Sequence, residues 1–191
     1  MLGTPGVTWT DPNGNDRYMD LATRLLKDRI VMLEGEINAE MAVAIIGQLR
    51  VLESESKDKP ITMFIQSPGG EVNAGWAIID TMKNLKCPVH TVAMGMTASM
   101  AVTVFLNGKK GERTVYEHTE LLVHQPSGGC KGQISDMEID VKHGIKMKER
   151  LAREYSELTG ISLQKMTEMM DRDTILDAKE AKKLGFADKI K

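Results

Sequence analysis

The stretch Pro88-Val89-His90-Thr91-Val92-Ala93-Met94-Gly95-Met96-Thr97-Ala98-Ser99-Met100-Ala101-Val102-Thr103-Val104 decides the fold. Val89, Val92, Ala93 and Met94 form a short apolar run with β-branched members, the pattern of a buried strand. Gly95 lets the backbone turn sharply. The small residues Thr97 and Ala98 let the chain bend close to its neighbours, and Ser99 then falls where a helix should begin. Helix N-termini leave backbone N–H groups unpaired and favour negative charge. Ser99 therefore has two readings. It is an ordinary N-cap, or it is a nucleophile whose attack creates an oxyanion.

Upstream, Ile61 to Gln66 reads as a strand, Ser67-Pro68-Gly69-Gly70 as a turn and Val72 to Lys86 as a helix. Before these come a strand over Arg29 to Leu33 and a helix capped by Asn38 that runs to about Ser54, with Met41, Ala44, Ile45, Leu49 and Leu52 on one stripe. Asp20 to Lys27 is a short helix. Residues 1–16 hold three glycines and two prolines and read as an irregular arm with little helix or sheet, ahead of a single domain over 17–191.

Downstream, the helix from Ser99 ends near Leu106, and short strands follow at Thr114 to Tyr116 and Leu121 to Val123. The second delivers His124 at its end. After the glycine-rich Ser127 to Gly132, Gln133 to Leu158 predicts one long helix, at 1.5 Å per residue roughly 39 Å. That is longer than a small domain is wide, so part of it is expected to pack against another subunit. Ser162 caps a helix to Met170, residues 171–176 form an extended link, Asp177 caps a helix over 178–184, and Phe186 to Ile190 reads as a last strand. The alternation predicts an α/β domain, its repeated strand–strand–helix units packing helices on a mainly parallel sheet.

Composition narrows the function. The 191 residues suffice for one good core. A net charge of −2 carries no nucleic-acid or anionic-membrane footprint. No apolar run approaches the ~18 residues of a membrane span, and no basic region followed by an apolar block suggests a secretory signal. Cys87 and Cys130 have neither metal-ligand spacing nor the density of a disulfide framework, which fits a reducing, cytoplasmic setting. Fourteen methionines against 2 Trp, 3 Tyr and 3 Phe imply that methionine does much of the apolar filling.

A serine is a weak nucleophile unless a base takes its proton. Of the four histidines, His118 lies among polar residues in a turn, and His143 lies on the polar side of the long helix. His90 enters the central strand. His124 ends an apolar strand, where functional groups often sit; its plainer reading is a half-buried strand-end histidine. An acid should orient the base, and Asp173, in an extended link beside Thr174-Ile175-Leu176, is the best candidate. Its plainer reading is half of a surface pair with Arg172. The order Ser, His, Asp differs from those of the α/β-hydrolases, chymotrypsin and subtilisin. Thr97 and Ala101 also exclude a G-x-S-x-G elbow. The two glycines of Ser67-Pro68-Gly69-Gly70 can expose backbone N–H groups suited to an oxyanion hole, though the segment also reads as a plain tight turn.

Several motifs in order resemble the Clp protease proteolytic subunits, the ClpP family. They are Gln66-Ser67-Pro68-Gly69-Gly70, Gly95-Met96-Thr97-Ala98-Ser99-Met100, His124-Gln125-Pro126-Ser127-Gly128-Gly129, Gly132-Gln133-Ile134-Ser135-Asp136 and Asp171-Arg172-Asp173. The resemblance runs from about Arg24 to the last strand. It implies the ClpP/crotonase-like fold with a protruding handle over about 125–159. It implies Ser99 as nucleophile, His124 as base, Asp173 as orienting acid, and Gly70 and Met100 as oxyanion donors. It also implies two stacked heptameric rings, with Asp171 and Arg172 at the ring–ring contact, and a chamber admitting unfolded chains or short peptides. No cofactor is implied in the barrel, since ATP would be used only by a partner Clp-type (Hsp100) unfoldase such as ClpX or ClpC.

Two departures modify these expectations. Ala101 stands where family members carry glycine. Arg50, Thr62, Asn84 and Thr114 stand where the family lines its ATPase-docking cleft with aromatic and aliphatic side chains. A hydrophobic anchor docking there would bury unpaired polar groups at roughly 1–3 kcal/mol each. The expectation is weak docking on this subunit's own face. Three functions are consistent with these residues: an active compartmentalised serine endopeptidase, a mainly structural subunit paired with a second ClpP-type ring that docks the ATPase, or an acyl-CoA enzyme of the crotonase type.

Overall fold

Parallel strands with helices stacked on them make up most of the molecule. A computed structural model describes residues 5–191. The order is β1 (Gly6–Thr10), β2 (Asp16–Asp20), α1 (Leu21–Lys27), β3 (Ile30–Glu34), α2 (Ala39–Glu55), β4 (Ile61–Ser67), α3 (Val72–Asn84), β5 (Val89–Ala98), α4 (Met100–Leu106), β6 (Arg113–Val115), β7 (Glu120–Val123), α5 (Ile134–Thr159), α6 (Leu163–Met170), β8 (Thr174–Leu176), α7 (Ala178–Lys183) and β9 (Lys189–Ile190). Strands β3, β4, β5, β6 and β9 lie side by side in that order, while β7 pairs with β5 and β8. All pairings in this sheet are parallel except β7 with β8.

The expected α/β architecture is present, and the caps were legible. Asp20, Asn38, Ser162 and Asp177 each accept a backbone N–H three residues on, the geometry that satisfies an orphan helix donor. Along β3 and β4, Val31, Leu33, Ile61, Met63 and Ile65 are buried while the residues alternating with them are half-buried or exposed. The sheet thus turns one face fully into a core shared with Ile45, Leu49 and Leu52 of α2 and Ile78 and Ile79 of α3. Arg29, at φ +61, uses its guanidinium to close the α2–β4 loop, donating to the carbonyls of Leu52, Ser56, Lys59 and Pro60.

Three expectations are corrected. The arm over residues 1–16 is not irregular in its described part: β1 and β2 form an antiparallel hairpin from Gly6↔Asp20 to Thr10↔Asp16. Its turn is wound around Asp11, whose Oδ1 accepts the N–H groups of Asn13 and Asn15. Residues 1–4 of that arm lie outside the described residues. The last strand is only Lys189–Ile190, because Phe186 is instead drawn into the core at the end of α7. The third correction concerns Gly95. It lies at φ +55, but the strand does not stop there. β5 continues to Ala98 and changes partner, pairing with β6 through Thr91, Val92 and Ala93 and with β7 through Met96, Thr97 and Ala98.

The long helix α5 runs for 26 residues, about 39 Å at 1.5 Å per residue. Only its C-terminal half is anchored, with Leu151, Ala152 and Tyr155 buried. In the N-terminal half Ile134, Ile139, Val141 and Ile145 are all more than half exposed.

Candidate active site

The strand exchange at Gly95 brings the end of β5 beside β7, and Ser99 N–H donates to the Leu122 carbonyl at 2.8 Å. On its other side β7 runs antiparallel to β8 in the register Leu121↔Leu176, Leu122↔Ile175 and Val123↔Thr174. One step further along this ladder, His124 faces Asp173. Their side chains meet, with His124 Nδ1 3.3 Å from Asp173 Oδ1. The approach is locked from behind, because Gln125 N–H donates to the Met170 carbonyl at 2.7 Å and Gln125 Nε2 to the Asp171 carbonyl at 2.8 Å.

Ser99 is in an unusual conformation. Its φ of +53° and ψ of −125° lie where L-residues are strained. It precedes α4, yet its side chain makes no capping bond, unlike Asp20, Asn38, Ser162 and Asp177. Of the two readings of Ser99, the plain cap is therefore the one its geometry disfavours. Its carbonyl is held by Val102 N–H at 2.9 Å and by the buried Tyr155 hydroxyl at 3.3 Å. Among the described residues Ser99 and His124 share no hydrogen bond.

The Ser67-Pro68-Gly69-Gly70 turn packs directly on Ser99. Both glycines have positive φ, +92° and +145°. A Cβ on Gly69 would lie 2.7 Å from both the Ala98 carbonyl oxygen and Ser99 Cβ, and 3.0 Å from Met100 N. A Cβ on Gly70 would collide with the Ile37 backbone. The turn is fixed by Ile37 N–H to the Gly69 carbonyl and Glu71 N–H to the Ile37 carbonyl, both 2.8 Å, and by Gly69 N–H to Ser67 Oγ at 3.0 Å. The Gly70 and Met100 N–H groups donate to no acceptor among the described residues. The Met100 N–H follows Ser99 directly in the chain, and Gly70 follows the glycine that packs on Ser99.

Of the other histidines, His118 and His143 are exposed. His90 is half-buried, with Nδ1 4.0 Å from Glu112. None of them approaches Asp173. Arg172 is almost wholly exposed, and Asp171 takes Lys148 at 3.6 Å. Beside His124, the Gln125 to Cys130 segment and α5 enclose a groove of about 510 Å³ lined in part by Pro126, Val141, Ile145 and Met147. Sequence reasoning missed Gln125, Tyr155 and Thr103. Tyr155 meets both Thr103 and the Ser99 carbonyl across more than fifty residues of chain, which no local pattern signals. No group of His, Cys, Asp and Glu among the described residues is arranged to hold a metal ion, and no described helix is long and apolar enough to cross a membrane.

Comparison with known proteins shows the family. The family model described as Clp protease matches residues 13–191. The ATP-dependent Clp protease proteolytic subunit 2 of Bacillus licheniformis is 43% identical over 175 residues, spanning 92% of this chain and 92% of that protein.

Proposed function

The chain belongs to the Clp protease family and is a serine-type peptidase; from that premise we propose that it hydrolyses peptide bonds of unfolded proteins and short peptides with a Ser99–His124–Asp173 triad inside a two-ring barrel. Ser99 Oγ attacks the scissile carbonyl while His124 takes its proton. Asp173 holds the imidazole and stabilises the imidazolium. The proton passes to the leaving amine, and water then hydrolyses the acyl-enzyme with His124 again as base. Gly70 and Met100 N–H groups receive the oxyanion, and one such donor can be worth about 10²–10³ in rate. The observation that carries the reading is the 3.3 Å His124–Asp173 contact on the ladder that also fixes the Ser99 backbone.

The assembly rests on different residues. The exposed Ile134, Ile139, Val141 and Ile145 give α5 an apolar surface that a second ring would cover, and the exposed Arg172, 3.8 Å from Asp171, is within reach of the same contact. On this reading two heptameric rings stack in the cytoplasm. The barrel uses no cofactor, and ATP is consumed only by a partner unfoldase. A fluorophosphonate probe tests the centre. Labelling of the assembled protein that disappears in Ser99→Ala supports the triad, and undiminished labelling in that variant overturns it.

One observation favours a second reading, a weakly active subunit paired with another ClpP-type ring that docks the ATPase. The sheet face away from the core carries the half-buried Thr62 and the buried Thr114, with His90, Glu112 and Lys189 beside them and Lys189 2.5 Å from Glu112. Arg50 and Asn84 are exposed. A hydrophobic anchor finds polar groups here. Labelling that rises only after a second ring is added, with no ATPase captured by the homomer, would favour this reading.

A further inference from the structure

Tyr155 is a fully buried ionisable group that the triad does not use. It lies in the anchored half of α5, with its ring edge-on to Phe186 at a centroid separation of 6.1 Å. Its hydroxyl touches two groups, Thr103 Oγ1 at 2.9 Å and the Ser99 carbonyl oxygen at 3.3 Å. A carbonyl can only accept. The single tyrosine proton is therefore committed to Ser99, and the Thr103 hydroxyl must donate to the tyrosine oxygen. The result is a directed relay, Thr103 O–H to Tyr155 O–H to Ser99 C=O. Its members are 1% and 2% exposed at Thr103 and Tyr155, so water does not substitute for either bond.

The acceptor is the carbonyl of the residue whose φ of +53° is strained. Holding it from below resists relaxation of the peptide plane that aims Ser99 Oγ and leads into the Met100 N–H. The same stretch of α5 is clamped to α3, through Arg150 over the Trp76 ring at 4.2 Å and Lys83 to Glu154 at 2.7 Å. A shift of α5 is thereby felt at the Ser99 backbone.

We propose that Tyr155, oriented by Thr103, is a positioning residue that braces the Ser99 peptide in its reactive conformation and links it to α5. This rests on Ser99 being the nucleophile. Burial holds the Tyr155 hydroxyl far above its usual range, so it stays neutral and transfers no proton during the reaction.

The test compares fluorophosphonate labelling and hydrolysis of a short fluorogenic peptide by the assembled wild type, Tyr155→Phe, Thr103→Val, Thr103→Ser and Ser99→Ala. Assembly is read by sedimentation. In Tyr155→Phe the ring stays and the brace is lost. Labelling rate and kcat should fall together, roughly three- to ten-fold, the scale of one hydrogen bond. KM should be unchanged, and the pH–rate profile should drop evenly without moving its inflections. Thr103→Val should fall similarly, Thr103→Ser should restore the rate, and the double variant should lose no more than either single one. A wild-type labelling rate in assembled Tyr155→Phe, or a displaced pH profile, overturns the brace while leaving the nucleophile intact. If Tyr155→Phe fails to assemble, the Thr103 pair decides alone, and equal rates for Val and Ser overturn the proposal. Persistent labelling of Ser99→Ala instead overturns the nucleophile, and the brace with it.

Discussion

Gly69 touches Ser99 so closely that no side chain fits between them: a Cβ on Gly69 would stand 2.7 Å from Ser99 Cβ and from the Ala98 carbonyl oxygen. The obstructing atoms are backbone or directly attached to it, so they cannot swing aside. The glycine also sits at φ +92, where a Cβ adds strain of about 1–3 kcal/mol. Gly69→Ala should therefore lower stability by about that amount, and activity by more, about 10²-fold, because relief of the clash would separate the Gly70 and Met100 N–H groups proposed as oxyanion donors. Thermal unfolding and probe-labelling rates on the same preparation check the split. Equal proportional losses in the two would contradict it.

Asp173 carries a separate expectation. Its side chain is 69% exposed and meets His124 through one 3.3 Å contact. Asp173→Asn keeps the shape of that side chain but reverses what it can offer the imidazole. Peptidase activity should fall about 10²–10⁴-fold with the melting temperature nearly unchanged, as befits an exposed position. Steady-state peptide hydrolysis with parallel calorimetry measures both.

On the proposed two-ring assembly, substitutions on α5 should separate assembly from folding. Val141 and Ile145 are 53% and 54% exposed in the single chain. Val141→Glu with Ile145→Glu should leave the far-ultraviolet spectrum intact, since exposed substitutions change chain stability by only about 0.5 kcal/mol. The same pair should convert stacked rings to single rings in sedimentation velocity. Unaltered stacking would remove this face from the interface.

Acid stability should depend on Asp188. Arg113 is 3% exposed and forms a two-pronged pair with it, Nη2 to Oδ1 at 2.7 Å and Nε to Oδ2 at 2.9 Å. Burial alone would raise the Asp188 carboxyl, but hydrogen bonds from the Arg113 side chain and backbone and from Gly111 N–H outweigh it and hold the carboxyl below its ordinary 3.8. A carboxylate lowered on folding stabilises the protein fully above its unfolded value, and the contribution disappears as pH falls through the folded one. Asp188→Asn should thus cost about 3 kcal/mol near neutral pH by stranding a buried guanidinium. The gap from wild type should narrow below about pH 3.8. Denaturant melts at pH 7 and pH 3 check the sign.

Much of this was legible because its causes are local. Caps at Asn38 and Asp177, the alternation along β4 and the small residues before Ser99 each act within a few positions. The pairing of His124 with Asp173 needed the β7–β8 ladder, which spans fifty residues, and sequence motifs anticipated it where periodicity did not. The hairpin of β1 and β2 was missed because glycine and proline content reads as irregular chain, while a cross-strand register and the Asp11-centred turn hold it together. Gly95 was read as a terminus because a strand that exchanges partners looks, in one dimension, like a strand that ends.

That exchange has a consequence for how the strand responds to substitution. Upstream of Gly95, β5 belongs to the outward face with Thr62, His90 and Thr114; downstream it belongs to Ser99 and β7. A side chain changed upstream alters the pairing with β6, while the β7 ladder that fixes the Ser99 backbone keeps its own register. The two ends of one strand are thus separately editable.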